Sequence, residues 1–368
     1  MKEFYAQAAE ELKKGNDICL ATIVSQKGSA PRELGTHFIV KSDGSIIGTI
    51  GGGRLESDVI SAALDALKDR RLLLIPFHLK GKDIASTEMI CGGAVEVYIE
   101  PIFATDMTAM AFFEKIEEVR ERGGSALLAT LIRTGSAGNM MKRKLLLAPS
   151  TSTPTFGATA EFGPLAEELS GRFSTSSENS MVGQRLSGSN QLDCYVEPII
   201  RQPVVYIFGG GHISLYLSRL IAMIDFRLII VDDRPEFANR QRFPHADEVR
   251  VIDFANAIDE FQLGPDAYVI IMTRGHGYDK EVLAQALQRE TAYIGMISSL
   301  RKRDIVLNAL ESEGFERQKL DSIFSPIGLD IGAETPQEIA VSIVAELIAV
   351  RAGKDTRQKI GGRCPVFE

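Results

Sequence analysis

The sequence has no apolar run close to the ~20 residues a membrane-spanning helix needs. It is also short of basic charge, with 41 Lys and Arg against 49 Asp and Glu and a net charge of −8. Non-specific nucleic-acid binding depends on lysine and arginine neutralising phosphates, so the balance argues against nucleic acid as a partner. Cysteine is sparse and unpaired: Cys19, Cys91, Cys194 and Cys364 are scattered, with no CxxC among them. That spacing offers neither a disulfide framework nor a structural zinc site, and it suits a reducing cytoplasm. The opening MKEFYAQAAEELKKGND alternates acids and bases around Phe4, Ala8 and Leu12 at helical spacing, which reads as an amphipathic helix and not as a secretory leader. What is present is the composition of a globular protein, 45% hydrophobic and 24% charged. At roughly 150 residues per domain, 368 residues make two or three domains.

The most informative stretch is VVYIFGGGHISLYLSRLIAMIDFRLIIVDD, Val204 to Asp233. Strand, glycine turn, helix, second strand and terminal acid follow in the order of a dinucleotide-binding unit. Gly209 and Gly211 hold the first two fingerprint positions, with Ser214 at the third. His212 opens a helix whose free amides and positive end suit a phosphate. Asp232 falls about 20 residues on, where an acid accepts from a ribose hydroxyl. Arg234 just beyond leaves NAD, NADP and other ribose ligands open. Further strands are read at Ala267 to Met272 and Ala292 to Gly295, with helices between, so the expected fold is a doubly wound parallel sheet. Ligands bind outside the carboxyl ends of such strands, which brings in Thr273, Arg274 and His276 after one strand and Ser298, Ser299 and Arg301 after the next. Thr335, Pro336 and Glu338 spell the start of a last helix.

The first half reads as α+β. Ile18 to Gln26 is a strand, and Asp43 with Gly44 joins two more in a hairpin. A helix runs from Arg54 to about Lys68, and strands follow at Arg71 to Leu79 and Ala94 to Ile102. Two glycine-rich loops, GSAPRELG and GTIGGGRLE, carry Arg32 and Arg54. The glycines Gly51, Gly52 and Gly53 let main-chain amides turn toward an anion, and Arg54 at a helix start adds charge. Cys91, followed by Gly92 and Gly93, has an uncrowded thiol of the kind that carries sulfur or meets a soft metal. Cys19 and Cys194 look like core residues. SALLATLIRTGSAG echoes ICLATIVSQKGSA, and DCYVEPII echoes VEVYIEPI. The echoes mark either a duplication or strands lying side by side in one sheet. The span 149–190, rich in Ser, Thr and Gly, reads as irregular.

The resulting plan is an α+β domain over 1–103, an extension with strands over 104–202, a Rossmann-like domain over 203–352 and a tail over 353–368. Several segments together, GSAPRELGTHFIVKSDGSIIGTIGGGRLE, MICGGAVEVYIEPI, VYIFGGGHIS with IVDDRPEFA, YIGMISSLRKR and SPIGLDIGAETPQEIAVSIVAEL, resemble the XdhC/CoxI family. These are accessory factors of xanthine dehydrogenase and related molybdenum hydroxylases. The resemblance implies a cytoplasmic protein, more a cofactor-insertion chaperone than a stand-alone enzyme. It implies binding of molybdenum cofactor, as molybdopterin or its dinucleotide form, sulfuration with a cysteine desulfurase, and insertion into an apo-hydroxylase. Arg32, Arg54 and the first glycine turn would then hold a phosphate, Cys91 would face molybdenum or sulfur, and Gly209, Gly211, His212, Asp232, Arg274 and Ser298 would meet a nucleotide. A homodimer is the expected assembly. The alternatives are an NAD(P)-dependent oxidoreductase, for which only His212 and His276 offer proton transfer, and a non-catalytic scaffold.

Overall fold

The computed structural model describes residues 2–28, 30, 32–78, 93–121, 125–133, 135–137, 143–147, 154–157, 162–175, 183–187, 193–199, 201–274 and 277–354. It divides into two units, Met1–Arg201 and Gln202–Glu368.

The first unit opens with α1 (Lys2–Lys13), β1 (Ile18–Lys27), β2 (His37–Lys41), β3 (Ile46–Gly48), α2 (Gly53–Asp69), β4 (Arg71–His78) and β5 (Ala94–Ile102). A matching series follows: α3 (Met107–Glu121), β6 (Ala126–Leu131), the short β7 (Gly135–Ser136), β8 (Lys144–Leu147), β9 (Pro154–Phe156), α4 (Pro164–Thr175), β10 (Gln184–Ser187) and β11 (Asp193–Ile199). The first series forms a sheet of order β3-β2-β1-β5-β4 with β7 added at its end, and the second forms β9-β8-β6-β11-β10. Strand for strand the order is the same. The register matches too: Leu20 faces Glu100 and Thr22 faces Tyr98 in one sheet, while Leu128 faces Glu197 and Thr130 faces Tyr195 in the other. The sequence echoes are therefore two copies of one strand pairing, each in its own sheet, which is the geometry of a duplication.

Side chains along β1 alternate between two cores, as the two-residue period of a strand requires. Cys19, Ala21 and Ile23 pack with Leu55, Val59 and Ala63 of α2. Ile18 and Leu20 turn the other way and join α1, α3 and the inner face of the second sheet. α4 covers the outer face of that second sheet with Leu165, Ala166 and Leu169. The span expected to be irregular thus carries β9, α4 and β10, in the places that β3, α2 and β4 take in the first copy. Its few apolar residues are concentrated on the face that packs, so low hydrophobic content concealed the helix.

In the second unit β12 (Val204–Phe208), β13 (Arg227–Asp232), β14 (Glu248–Val251), β15 (Ala267–Ile271) and β16 (Tyr293–Met296) form one parallel sheet of order β14-β13-β12-β15-β16. α5 (His212–Ile221) and α9 (Pro336–Arg351) lie on one face with Leu217, Ile221, Ile343 and Leu347 fully buried. The other face takes a 3-10 helix (Phe254–Glu260), α6 (Asp279–Ala286) and α7 (Leu300–Ser312), with α8 (Arg317–Asp321) beyond. Each buried Leu or Ile of these helices contributes about 1.5–3 kcal/mol of apolar transfer. β14 was not expected, because its Glu-Val-Arg-Val sequence at the sheet edge lacks an apolar run. The Thr335 capping box with Glu338 is present as read.

Candidate functional site

At the carboxyl end of the parallel sheet, Phe208 passes into Gly209, whose φ of 119° lies in the left-handed region that favours glycine. A Cβ there would stand 2.1 Å from the Met272 carbonyl oxygen, so the turn after β12 and the chain leaving β15 meet backbone to backbone. Gly210 is equally constrained: a Cβ would lie 2.6 Å from the Phe237 carbonyl oxygen. The fingerprint spacing assigned no role to Gly210. Gly211 caps α5 with an ordinary φ of −71° and open space around it, and His212 is exposed at the first helical position. Ser214 is buried and its hydroxyl donates to the Gly209 carbonyl at 2.5 Å.

Asp232 stands at the end of β13 with its side chain 1% exposed. Its Oδ2 accepts from the Gly210 amide at 2.7 Å and from Arg234 Nη2 at 3.2 Å. Its Oδ1 accepts from the Arg234 amide at 3.1 Å and Nε at 2.9 Å. Burial by itself raises this carboxyl, but Arg234 and the Gly210 amide outweigh it and hold Asp232 below its ordinary value. Burial, and then the neighbouring Asp232, push Asp233 up.

After β15, Thr273 binds Asp279 Oδ1 through its amide at 3.0 Å and its hydroxyl at 2.5 Å. Lys302 pairs with the other oxygen of Asp279. After β16, Ser298 is buried and shares a hydrogen bond with Ser325 at 2.7 Å. Gly209, Gly211, His212, Arg274 and Ser298 therefore lie at one end of the sheet, with His212 and Arg274 the exposed members. His276 lies outside the described residues.

In the first unit, Gly51, Gly52 and Gly53 all have positive φ, at 119°, 73° and 62°. The turn is filled from within. Glu56, in the first turn of α2, places Oε2 so that it accepts from Thr49 Oγ1 at 2.6 Å, from the Gly52 amide at 3.2 Å and from the Ile50 amide at 3.3 Å. An acid at a helix start also faces the positive end of the dipole. Arg54 is 67% exposed, and its ion pair with Asp58 is long at 3.6 Å. Arg32 is exposed on the other loop. Cys91 lies outside the described residues; Gly93, just after it, is so close to Gly28 that a Cβ on Gly28 would stand 3.3 Å from its Cα. Cys19 and Cys194 are buried as expected, and burial pushes the Cys194 thiol up to about 12. Among the described residues, no group of three or more His, Cys, Asp and Glu side chains is placed to hold a metal, and no helix is long and apolar enough to cross a membrane.

Between the two sheets of this unit lies a polar cluster that the sequence reading missed. His37 Nε2 lies 2.7 Å from Glu197 Oε2, and its Nδ1 is 3.0 Å from the Thr22 hydroxyl. Lys144 Nζ binds Glu100 Oε2 at 2.7 Å and Thr130 at 3.0 Å. Each carboxylate belongs to one copy of the duplicated layout and its partner to the other. They line a cavity of about 10 Å³, the size of one water. Isolated polar residues in apolar strands gave a faint signal, but only the duplication pairs them.

Two family models match the chain, the XdhC and CoxI family over residues 11–77 and the XdhC Rossmann domain over residues 205–347. The chain belongs to the XdhC/CoxI family. Among its relatives, a protein of Bacillus subtilis named as a probable xanthine dehydrogenase subunit is 28% identical over 357 residues, covering 95% of this chain and 98% of that protein. The molybdenum cofactor insertion chaperone PaoD of Escherichia coli is 22% identical, covering 94% of this chain and 86% of PaoD. In fold, this XdhC/CoxI member matches a crystal structure titled as a xanthine dehydrogenase from Bacillus halodurans, with a TM-score of 0.78 at 24% identity over 97% of this chain and 98% of that one.

Proposed function

We propose that this XdhC/CoxI protein holds molybdenum cofactor and delivers it to an apo-hydroxylase of the xanthine dehydrogenase type. The observation that carries the reading is the end-to-end similarity to PaoD, a molybdenum cofactor insertion chaperone, which spans both units and not the Rossmann portion alone. The chemistry of the loops is compatible. Arg54, exposed at a helix start, and Arg32 supply cations for the phosphate of molybdopterin. Glu56 already occupies the Ile50 and Gly52 amides, and Thr49 Oγ1 the Gly51 amide, so the guanidinium groups, rather than those amides, are the anion contacts in this reading.

Molybdenum is thiophilic, and Cys91 is the thiol assigned to it or to the incoming sulfur. Exchange of oxo for sulfido with a cysteine desulfurase, a homodimer and a cytoplasmic setting belong to the same proposal. The Gly209–Gly211 turn, with Ser298 and Arg274 at the same end of the sheet, is the place for a nucleotide, either the nucleotide half of the dinucleotide cofactor or a separate NAD(P). An oxidoreductase reading finds less support: His212 is exposed, and no carboxylate among the described residues hydrogen-bonds it.

The test is transfer. Protein loaded with cofactor and desalted is mixed with apo-hydroxylase, and the hydroxylase activity gained is measured. Activation above that given by free cofactor supports delivery, and none refutes it.

A further inference from the structure

The acid that ends the second strand of a dinucleotide-binding unit ordinarily accepts from a ribose diol, while an arginine nearby accommodates a ribose phosphate. Asp232 has no acceptor site left for a diol. Its oxygens take the Gly210 amide and three donors of Arg234, at 2.7 to 3.2 Å, and the side chain is 1% exposed. A diol would have to displace a bidentate guanidinium from a buried carboxylate, at a cost that a neutral hydrogen bond does not repay.

The cations around this point are arranged differently. The Arg234 guanidinium lies 3.6 Å from the centre of the Phe237 ring, and that of Arg242 lies 5.0 Å from the same ring. Arg242 Nη2 donates to the Gly210 carbonyl at 3.0 Å, and its Nε is buried with no hydrogen-bond partner. Two arginines thus converge on the Gly210 turn. With Asp232 occupying one edge of Arg234, its Nη1 hydrogens remain as donors, and Arg242 retains Nη1 as well. Asp233 also faces this point, with a carboxyl pushed up from its ordinary value.

We infer that the β13 end of the crevice takes a ribose bearing a phosphomonoester in preference to a free ribose diol. Arg242 and Arg234 receive the phosphate, and Asp232 acts through Arg234 by fixing its guanidinium. The inference rests on the nucleotide reading of this end of the sheet and not on molybdenum binding.

Calorimetric titration of the full chain with 2′,5′-ADP, 3′,5′-ADP and 5′-AMP tests it. The expected result is that one of the two bisphosphates binds at least about 10-fold more tightly than 5′-AMP, as a charge-assisted contact provides. Arg242→Ala should remove most of that preference, lowering affinity for the preferred bisphosphate by more than it lowers affinity for 5′-AMP. Arg234→Ala should free Asp232 and shift preference toward 5′-AMP. Equal binding, or tighter 5′-AMP binding by the wild type, overturns the inference and leaves the nucleotide reading standing. No binding of any of the three overturns both.

Discussion

His37 Nε2 lies 2.7 Å from Glu197 Oε2, and the two residues sit in opposite copies of the duplicated layout, on β2 and β11. Lys144 on β8 returns the exchange with Glu100 on β5, also at 2.7 Å. Each copy thus supplies a basic side chain to the other copy's carboxylate. Both pairs are buried, so loss of one partner leaves the other with an unmet hydrogen bond away from bulk water, even though Thr130 still holds Lys144 and Thr22 still holds His37.

Removing one member should cost more than the pair contributes. Lys144→Met leaves Glu100 buried at 1% exposure and is expected to destabilise the first unit by about 3–5 kcal/mol. Glu197→Leu, which takes the close acceptor from His37 Nε2 while Thr22 still holds Nδ1, is expected to cost about 1–3 kcal/mol. Urea unfolding of the full chain followed by far-UV circular dichroism measures both. A change below about 0.5 kcal/mol in either variant would contradict this account of the cluster.

The three glycines of the second turn should separate by substitution. Gly209→Ala places a Cβ 2.1 Å from the Met272 carbonyl at a φ of 119°, and Gly210→Ala places one 2.6 Å from the Phe237 carbonyl. Both should destabilise the second unit by about 2 kcal/mol or more. Gly211→Ala meets nothing within 4 Å and should change stability by less than about 1 kcal/mol. If nucleotide phosphate approaches Gly211, this variant folds normally and loses nucleotide affinity. Thermal melting with parallel titration distinguishes the two effects.

Asp232 makes stability depend on pH in a defined direction. Its folded value lies below its unfolded one, so its contribution is complete above the unfolded value of about 3.9 and fades as pH falls through the folded value. Asp233 runs the other way, with a small cost at neutral pH that is relieved as its raised carboxyl gains a proton. Arg234→Leu removes the guanidinium and lets burial raise Asp232 toward or past its unfolded value, so the variant should be less stable near neutral pH and lose less stability on acidification than the wild type. Urea midpoints between about pH 6 and about pH 3 read this difference. Identical acid limbs would show that Arg234 does not hold the carboxylate down.

The first-turn acid of α2 offers a test of the glycine loop. Glu56→Ala strips Thr49, Ile50 and Gly52 of a shared acceptor and is expected to cost about 1–2 kcal/mol. Arg54→Ala, at an exposed position, should leave the melting temperature nearly unchanged. An Arg54 variant that melts early would assign that side chain to folding.

The parallel sheet was legible because β12, β13, β15 and β16 are apolar runs, the first two closed by Gly209 and Asp232, and the Thr335 capping box names its helix outright. The first copy of the duplicated layout was legible for the same reason, through Asp43–Gly44 and the Gly51–Gly53 turn. Of the second copy the echoed strands β6 and β11 were legible, but α4 was not, because it shows only a narrow apolar face around Leu165 and Leu169 amid small polar residues. β14 escaped because Glu248 and Arg250 break its apolar pattern. At the site, spacing located Gly209 and Asp232, yet it could not reveal that Arg234 occupies the carboxylate or that Gly210 is pinned by Phe237. Those depend on a loop that returns from 234–242 to the turn. The crossed pairs His37–Glu197 and Lys144–Glu100 were beyond reach, since their members lie far apart in the chain and meet only when two sheets face each other.

Retention of molybdenum tests the central claim most directly. Purified protein is incubated with molybdenum cofactor, desalted, and assayed for bound molybdenum by mass spectrometry, alongside Arg54→Ala and Cys91→Ala. The account predicts retained molybdenum in the wild type and clear losses in both variants, with Arg54→Ala still fully folded. Wild-type protein that emerges free of molybdenum, or variants that retain as much as it does, would contradict the account.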